Sequence, residues 1–490
     1  MNQFKLTFLL AVLMNMVGTK AFAVYVDGIY YRLITGGWAA VQCGTNGSAN
    51  ADVYTGHVTI PSSFTYNNKT YTVKYIDVNA FNHCYNLTSI TIPSTIVEIG
   101  NYAFSGCSSL TSVTIPASVT SIGKGLFSGC HALTSIVVES ANMKYDSRDY
   151  CNAIIERSSN MLVAGCKSTY IPSSVYHIGA SAFANCNLLT ILIPSSIRSI
   201  GEGAFYGCDL QKIIVPDIAA WCRISFDGDP FHVPRHLYND GDTEITGLVI
   251  PDGVTSIGDY AFFKCISLTS ITIPSSVESI GTDAFSYCNN LTQVTINSNS
   301  IVSANYTTQN SLKSIFKNMS ICDIGEGVTS IGQYAFYNSD GLKTVNIGNN
   351  VTTISREAFR KCNSLKSVSI GRNVTNFGAR AFADCTNLNS VVSYIEVPHE
   401  FYWKEAIMAV FSDQTFNNAT LYVPVGTINR YNSTNGWKKF VHKEEFDVTG
   451  IINVNLEAIT NNRYYTLDGR EVEFPTKGIY ILNGKKVVIK

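Results

Sequence analysis

The sequence predicts a β-rich α/β repeat solenoid, and three observations carry that prediction. A phenylalanine recurs at Phe81, Phe104, Phe127, Phe183, Phe205, Phe262, Phe285, Phe336, Phe359 and Phe382, with steps of 23, 23, 56, 22, 57, 23, 51, 23 and 23 residues. Three residues after each phenylalanine stands a cysteine: Cys84, Cys107, Cys130, Cys186, Cys208, Cys265, Cys288, Cys362 and Cys385, with Ser339 as the one exception. Between these marks every unit repeats a short run in which apolar and polar residues alternate, as a strand with one buried face requires.

A period in the low twenties lies in the range of leucine-rich repeats, and one unit shows why copies must stack. In Leu87–Pro93, "LTSITIP", Ile90 and Ile92 share one face and Thr91 the other. Pro93 ends the strand because it has no backbone N–H to give a neighbour. A second short strand, "VEIG", stops at Gly100. "NYAFSGC" then leaves room for about two helical turns, which would put Phe104 and Cys107 on one inward face. Such a unit has no interior of its own, and only stacking turns its Leu, Ile, Phe and Cys into a continuous core. The three long steps hold degraded units or inserts, and roughly 15 turns are expected in all.

The cysteine column reads as a row of buried thiols. Free cysteine packs as a small hydrophobe, and identical columns in a stacked fold point inward. Five cysteines lie outside the column: Cys43, Cys151, Cys166, Cys222 and Cys322. Of these, Cys151 and Cys166 are close enough in sequence to bridge within one insert, and that alternative stays open.

The ends differ from the middle. Met1–Ala23 has Lys5, an apolar stretch from Leu6 to Val17 and "AFA" before Val24, the pattern of a secretory signal whose apolar run is too short to span a bilayer. The expected organisation is therefore a signal peptide at 1–23 and an N-terminal β cap at 24–75. A repeat solenoid with irregular inserts follows at 76–393, a C-terminal repeat or cap at 394–446, and a small β tail module at 447–490. Export, to the medium or the outer cell surface, follows from the first of these.

Composition excludes several function classes. Charged residues make up 14% of the 490, and the net charge is −1, against about 25% charged in an average soluble protein. No run of basic residues suits a nucleic-acid backbone, and no segment after the signal is long and apolar enough to span a membrane. No cofactor or metal is expected. His232 and His236 flank Pro234, which prevents the helix that would align them as a metal pair. "YNDGDTE", Tyr238–Glu244, lacks the spacing of a calcium loop and reads as a hairpin turn around Asp-Gly. Cys222, beside Trp221, has no histidine near it in sequence to make it a nucleophile. No nucleophile elbow, zinc-protease helix, phosphate loop or dinucleotide fingerprint occurs. The chain reads as a non-enzyme.

What remains is a repeated exposed face. Thr88, Thr91, Thr111, Thr114, Thr269, Thr272, Thr292 and Thr295 stand among the apolar residues of their strands and are the candidate partner-binding residues, since stacking would align them as hydroxyl columns. Threonine is also simply a good strand former. The columns change character where Lys343 and Lys366 replace threonine and where Leu192 and Ile214 bring apolar bulk to the face. A second candidate strip comprises Tyr102, Tyr206, Tyr260, Phe263, Tyr287, Tyr334 and Tyr337, which flank the conserved-spacing phenylalanines along the chain.

Units of the form "IPSSVxxIGxxAFxxCxxLTSI" resemble the BspA-like leucine-rich repeat proteins of bacterial surfaces and secretions. The resemblance runs from about Tyr25 to Phe446 and extends to irregular pieces such as "NAIIERSSNMLVAGCKSTYIP", "DIAAWCRISF" and "ATLYVPVGTINRYN". It implies a binding protein that adheres to host extracellular-matrix proteins or to other cells, with surface proteins or glycoproteins as partners. The alternatives are a glycan-binding accessory for polysaccharide uptake and a passive envelope scaffold. The last stretch, "YYTLDGREVEFPTKGIYILNGKKVVIK", is similar to, and much shorter than, the C-terminal sorting domains of exported proteins of Gram-negative anaerobes.

Overall fold

The computed structural model describes residues 23–44, 52–401 and 408–447, together with the backbone of four tail strands, Tyr464–Tyr465, Glu471–Val472, Gly478–Leu482 and Lys485–Ile489. Residues 1–22 of the expected signal at 1–23, and most of the tail, lie outside the described residues. The tail strands form one antiparallel sheet.

The chain is a parallel β-solenoid of about 16 turns with little helix. It divides into two units: Met1–Ile245 with Ser256–Ser267 and Ile280–Tyr287, and Thr246–Thr255 with Leu268–Ser279 and Cys288–Lys490. Two ladders of parallel strands run through the turns. The longer strands, such as Ser112–Ile115 beside Ser135–Val138, pair residue for residue between successive turns. The two-residue strands, such as Glu98–Ile99 beside Ser121–Ile122, make the second ladder. In the first unit, Val24–Val26, Ile29–Ile34 and Trp38–Gln42 form an antiparallel meander. Its third strand joins Lys69–Ile76 in parallel, and that strand pairs in parallel with Glu98–Ile99. In the second unit, nine parallel strands run from Gly247–Val249 to His442–Phe446. Residues 394–446 extend this sheet through Thr420–Pro424 and His442–Phe446.

The short helix expected around each phenylalanine is absent. The corner is instead a pair of turns in which the residues two before and two after the phenylalanine both take the left-handed conformation. These are Asn79 and His83 about Phe81, Tyr102 and Gly106 about Phe104, Tyr334 and Asn338 about Phe336, Glu357 and Lys361 about Phe359, and Arg380 and Asp384 about Phe382. A left-handed residue breaks the helical run of φ and ψ, so the backbone bonds between turns instead. The N–H groups of Phe81 and His83 donate to the carbonyls of Ala103 and Ser105, and those of Phe359 and Lys361 to Ala381 and Ala383. Such positions cost about 1 kcal/mol or more for non-glycine residues, and the inter-turn ladder offsets that cost. The helices that do occur, such as Ile218–Cys222 and Asp413–Asn418, lie in irregular stretches.

The core is the stack of repeat side chains. Phenylalanine rings lie nearly parallel in successive turns, with centroids 5.1 Å apart for Phe81 and Phe104 and 4.8 Å for Phe336 and Phe359. All nine column cysteines are buried. The thiols of Cys107, Cys130, Cys208, Cys362 and Cys385 donate to the carbonyl of the preceding turn's phenylalanine at 2.9–3.1 Å. Cys151 and Cys166 are buried free thiols, facing the carbonyls of Ala153 and Asn152.

Each long step in the sequence conceals a degenerate turn. Phe231 continues the ring stack 4.9 Å from Phe205. Phe316 is buried with Met319 three residues on, and the Met319 N–H donates to the Phe316 carbonyl as Cys84 does to Phe81 and Cys107 to Phe104. In the step from Phe127 to Phe183 a hairpin, Ala153–Glu156 with Met161–Gly165, supplies the missing strand. Gly165 stands where a corner phenylalanine would, and the Phe183 ring occupies the space its side chain would need.

Candidate functional site

Strand alternation sends Leu, Ile and Val inward and leaves the intervening residues on an outer face. In the second unit that face carries two columns with known register. One runs Gly247, Ser270, Gln293, Ile321, Thr344, Ser367 and Ser390, and the other runs Val249, Thr272, Thr295, Asp323, Asn346, Ser369 and Val392. A third column precedes the strands: the N–H of Thr269 donates to the Thr246 carbonyl, Thr292 to Thr269, Ser320 to Thr292, Lys343 to Ser320 and Lys366 to Lys343.

The eight candidate threonines therefore occupy two kinds of position. Thr269 and Thr292 are exposed neighbours in the strand-start column, and Thr272 and Thr295 are half-buried neighbours on the strand itself. In the first unit Thr88 and Thr111 are exposed strand-start neighbours, Thr91 lies beside Thr59, and Thr114 lies beside the exposed Val137. Some hydroxyls on this face serve the fold: Thr269 Oγ1 donates to the Thr246 carbonyl at 3.0 Å, and Thr134 Oγ1 to the Thr111 carbonyl at 3.4 Å. Leu192 is exposed and is paired with Ile214 across the strands.

Sequence reading missed the polar pair at the centre of the second unit's face. Asn346 donates to Asp323 at 2.6 Å. Asp323 belongs to a turn without the "LTSI" signature, and its only signal was the alternation in "ICDI". The reading also missed a ladder at the strand ends, where Asn349 Nδ2 donates to Glu326 Oε1 at 3.2 Å and the Arg372 N–H donates to Asn349 Oδ1 at 3.3 Å. In the aromatic strip, Phe263 is buried between Tyr260 and Tyr287 and is a core residue. It fills the angle between two rings, so it offers nothing to a partner. Tyr206 and Tyr287 are exposed.

The residues weighed for chemistry have structural surroundings. His236 Nδ1 meets Glu244 Oε1 at 2.7 Å and Ser267 Oγ at 3.1 Å, and Ser267 also donates to Glu244. Serine and carboxylate reach the same ring nitrogen, so the imidazole cannot relay a proton between them as a catalytic triad requires. His232 packs edge-on against Tyr206. The Asp240 side chain accepts from the N–H groups of Asp242 and Thr243, and Tyr238 bridges Glu244, so the acidic stretch is a turn. Burial pushes the Cys222 thiol up to about 12, away from the thiolate a nucleophile needs.

The same region holds a buried charge network. Arg235 is fully buried, donates to the carbonyls of Tyr260 and Ala261 at 2.7 and 3.2 Å, and pairs with Asp229 at 3.0 Å; Lys264 pairs with the same carboxylate. Burial opposes ionisation of Asp229, but the Arg235 charge and the hydrogen bonds from Lys264 and Arg235 outweigh it and hold the carboxyl below its usual range. Trp221, also buried, donates to the Ala261 carbonyl.

These features define a parallel leucine-rich repeat solenoid whose candidate site is an extended strand face. Six copies of the BspA type leucine-rich repeat region match residues 59–159, 154–223, 234–326 and 313–399. The chain belongs to this family of BspA type leucine-rich repeat proteins. Among solved structures it is similar to a leucine-rich repeat protein from Bacteroides ovatus, at 25% identity over 78% of this chain and 100% of that one, with a TM-score of 0.45. It is also similar to a leucine-rich cell surface protein from Faecalibacterium prausnitzii, at 26% identity over 76% and 94%, TM-score 0.34. The pneumococcal vaccine antigen PcpA matches at 18% identity over 88% and 99%, TM-score 0.35. No curated protein matches the chain. Among the described residues no helix is long and apolar enough to cross a membrane.

Proposed function

We propose that this protein is a non-enzymatic adhesin, exported to the cell surface or medium, that engages host extracellular-matrix proteins or other cells through the outer strand face. One observation carries the reading. The inward column runs Leu248, Ile271, Val294, Cys322, Val345, Val368 and stays apolar and buried in every turn, while the outward column runs Val249, Thr272, Thr295, Asp323, Asn346, Ser369. A rigid scaffold with a varied polar face suits recognition by many moderate contacts. A polysaccharide-uptake accessory is the second reading, favoured by the exposed rings of Tyr206 and Tyr287, and the same experiment separates the two.

The test is a binding screen of the purified chain against matrix proteins, mucins, bacterial cells and neutral polysaccharides. We expect saturable binding to a protein or glycoprotein, weakened about tenfold or more by Thr88→Glu with Thr111→Glu or by Thr269→Glu with Thr292→Glu, since buried interface centres tolerate new charge poorly. Binding only to polysaccharide would move the assignment to the uptake accessory. Silence across the panel would reject the adhesin.

A further inference from the structure

A second surface, which uses none of the threonines, lies on the turn corners of the second unit and on the strand starts Lys343 and Lys366, which continue the column of Thr269 and Thr292. From Lys313 to Arg380 nine Lys and Arg stand against four Asp and Glu, in a chain whose net charge is −1. The corners 334–338 and 357–361 are neighbours, with Asn338 donating to the Arg360 carbonyl, and 357–361 neighbours 380–384, with Lys361 donating to the Ala383 carbonyl. Much of the excess charge gathers on these corners and on the strand starts that follow.

One carboxylate serves three guanidinium groups there. Glu357 is buried, with Oε1 3.2 Å from Arg356 Nε and 3.9 Å from Arg380 Nη1, and Oε2 2.9 Å from Arg360 Nη1. Arg360 Nε also reaches Asp384 at 2.8 Å. The network fixes the guanidinium planes and leaves the corner net cationic. Arg356 is half exposed. Lys361 lies exposed over the Tyr337 ring, 5.7 Å from its centroid. Lys343 and Lys366 are exposed neighbours in the strand-start column. Among the described residues none of these three lysines forms an ion pair. Two lysines one strand spacing apart repel, a local arrangement that stability alone disfavours and that a bound anion would relieve.

We infer that this surface binds an anionic polysaccharide, a sulfated or uronate-bearing glycan chain. Fixed guanidinium forks match the geometry of sulfate and carboxylate groups. The cations recur on successive turns at about 4.8 Å, close to the advance of one sugar in an extended chain, so successive anionic groups can meet successive turns. Single-stranded nucleic acid is the weaker fit, because it needs open aromatic faces on which bases stack. Here Tyr334 and Tyr337 are half-buried and packed edge-to-face on each other, and Lys361 lies over Tyr337.

The experiment measures binding of the full chain to immobilised heparin, chemically desulfated heparin, dextran and a single-stranded oligonucleotide of matched charge, at about 50 and about 200 mM salt. Expected is saturable, salt-sensitive binding to heparin, weaker binding to the desulfated chain and none to dextran. The combined variant Lys343→Gln, Lys361→Gln, Lys366→Gln should weaken heparin binding about tenfold or more with an unchanged melting temperature. If its melting temperature falls, Lys361→Gln alone, which removes only the contact with the Tyr337 ring, carries the test with a smaller loss. Absence of heparin binding, equal binding by variant and parent, or preference for the oligonucleotide would overturn the inference. The variant Thr88→Glu with Thr111→Glu, in the first unit, should leave heparin binding intact, so failure here and failure of the adhesin reading are distinguishable.

Discussion

The regular corners around Phe81, Phe104 and Phe127 and the irregular stretch from Asp217 to Ile245 belong to the same unit and solve the same problem differently. In the regular corners each ring stacks on the next, and the thiols of Cys107 and Cys130 meet the carbonyls of Phe81 and Phe104 in the preceding turn, a bond that recurs at Cys208, Cys362 and Cys385. The irregular stretch keeps one ring of the stack, Phe231, and surrounds it with Trp221 and Arg235, which donate to neighbouring carbonyls, and with Asp229, which accepts from Arg235, by side-chain bonds made once. A repeated corner is stabilised by its neighbours' similarity. A unique segment has to bring its own donors.

The largest effect should come from breaking the stack. Phe104→Ala removes the ring between Phe81 and Phe127 and should cost about 3–5 kcal/mol; because contacts run only between adjacent turns, the thermal transition should broaden or split. A single sharp transition at the parent temperature would show that the ring column is not the core. Next, Arg235→Met keeps much of the apolar stem but removes the donors to Tyr260, Ala261 and Asp229 and should cost about 2–3 kcal/mol, read by chemical denaturation. An unchanged midpoint would mean that the irregular stretch is held by packing alone.

The smallest effect is a slope with pH. Burial raises the Cys84 thiol to about 12 and the Cys151 thiol to about 11, from an ordinary value of 9.0. The folded state therefore holds these protons more tightly than the unfolded one. Their contribution is fully present below about pH 8.5 and is lost as pH rises toward the folded values. The melting temperature should decline steadily from pH 8.5 to 11, and the thiols of the native protein should resist alkylation until it unfolds. Rapid labelling of the native state would contradict the buried column.

Much of this fold could be read from spacing alone. The repeat of Phe and Cys, the alternation in "LTSITIP" and the stops at Pro93 and Gly100 determine an inward set and an outward set. A side chain that recurs at one place in every copy faces the same way in every copy. Other features were not legible. The corner looked helical because Tyr102, Tyr334, Glu357 and Arg380 are not residues that advertise a left-handed backbone, and they adopt it only because the bonds to the next turn offset its cost. Phe231 and Phe316 carry no repeat signature, and only the tertiary structure, in which Phe231 joins the ring stack and Phe316 is buried, shows them as degenerate copies.

The same division holds for the surfaces. The order of residues by itself determined that threonines would line an outer face, since parity along a strand is local. Which of them become neighbours, that Asp323 and Asn346 pair among them, and that Arg380 from the next turn joins Arg356 and Arg360 around one buried Glu357 were decided by the tertiary structure, because each depends on the register between turns rather than on order within one.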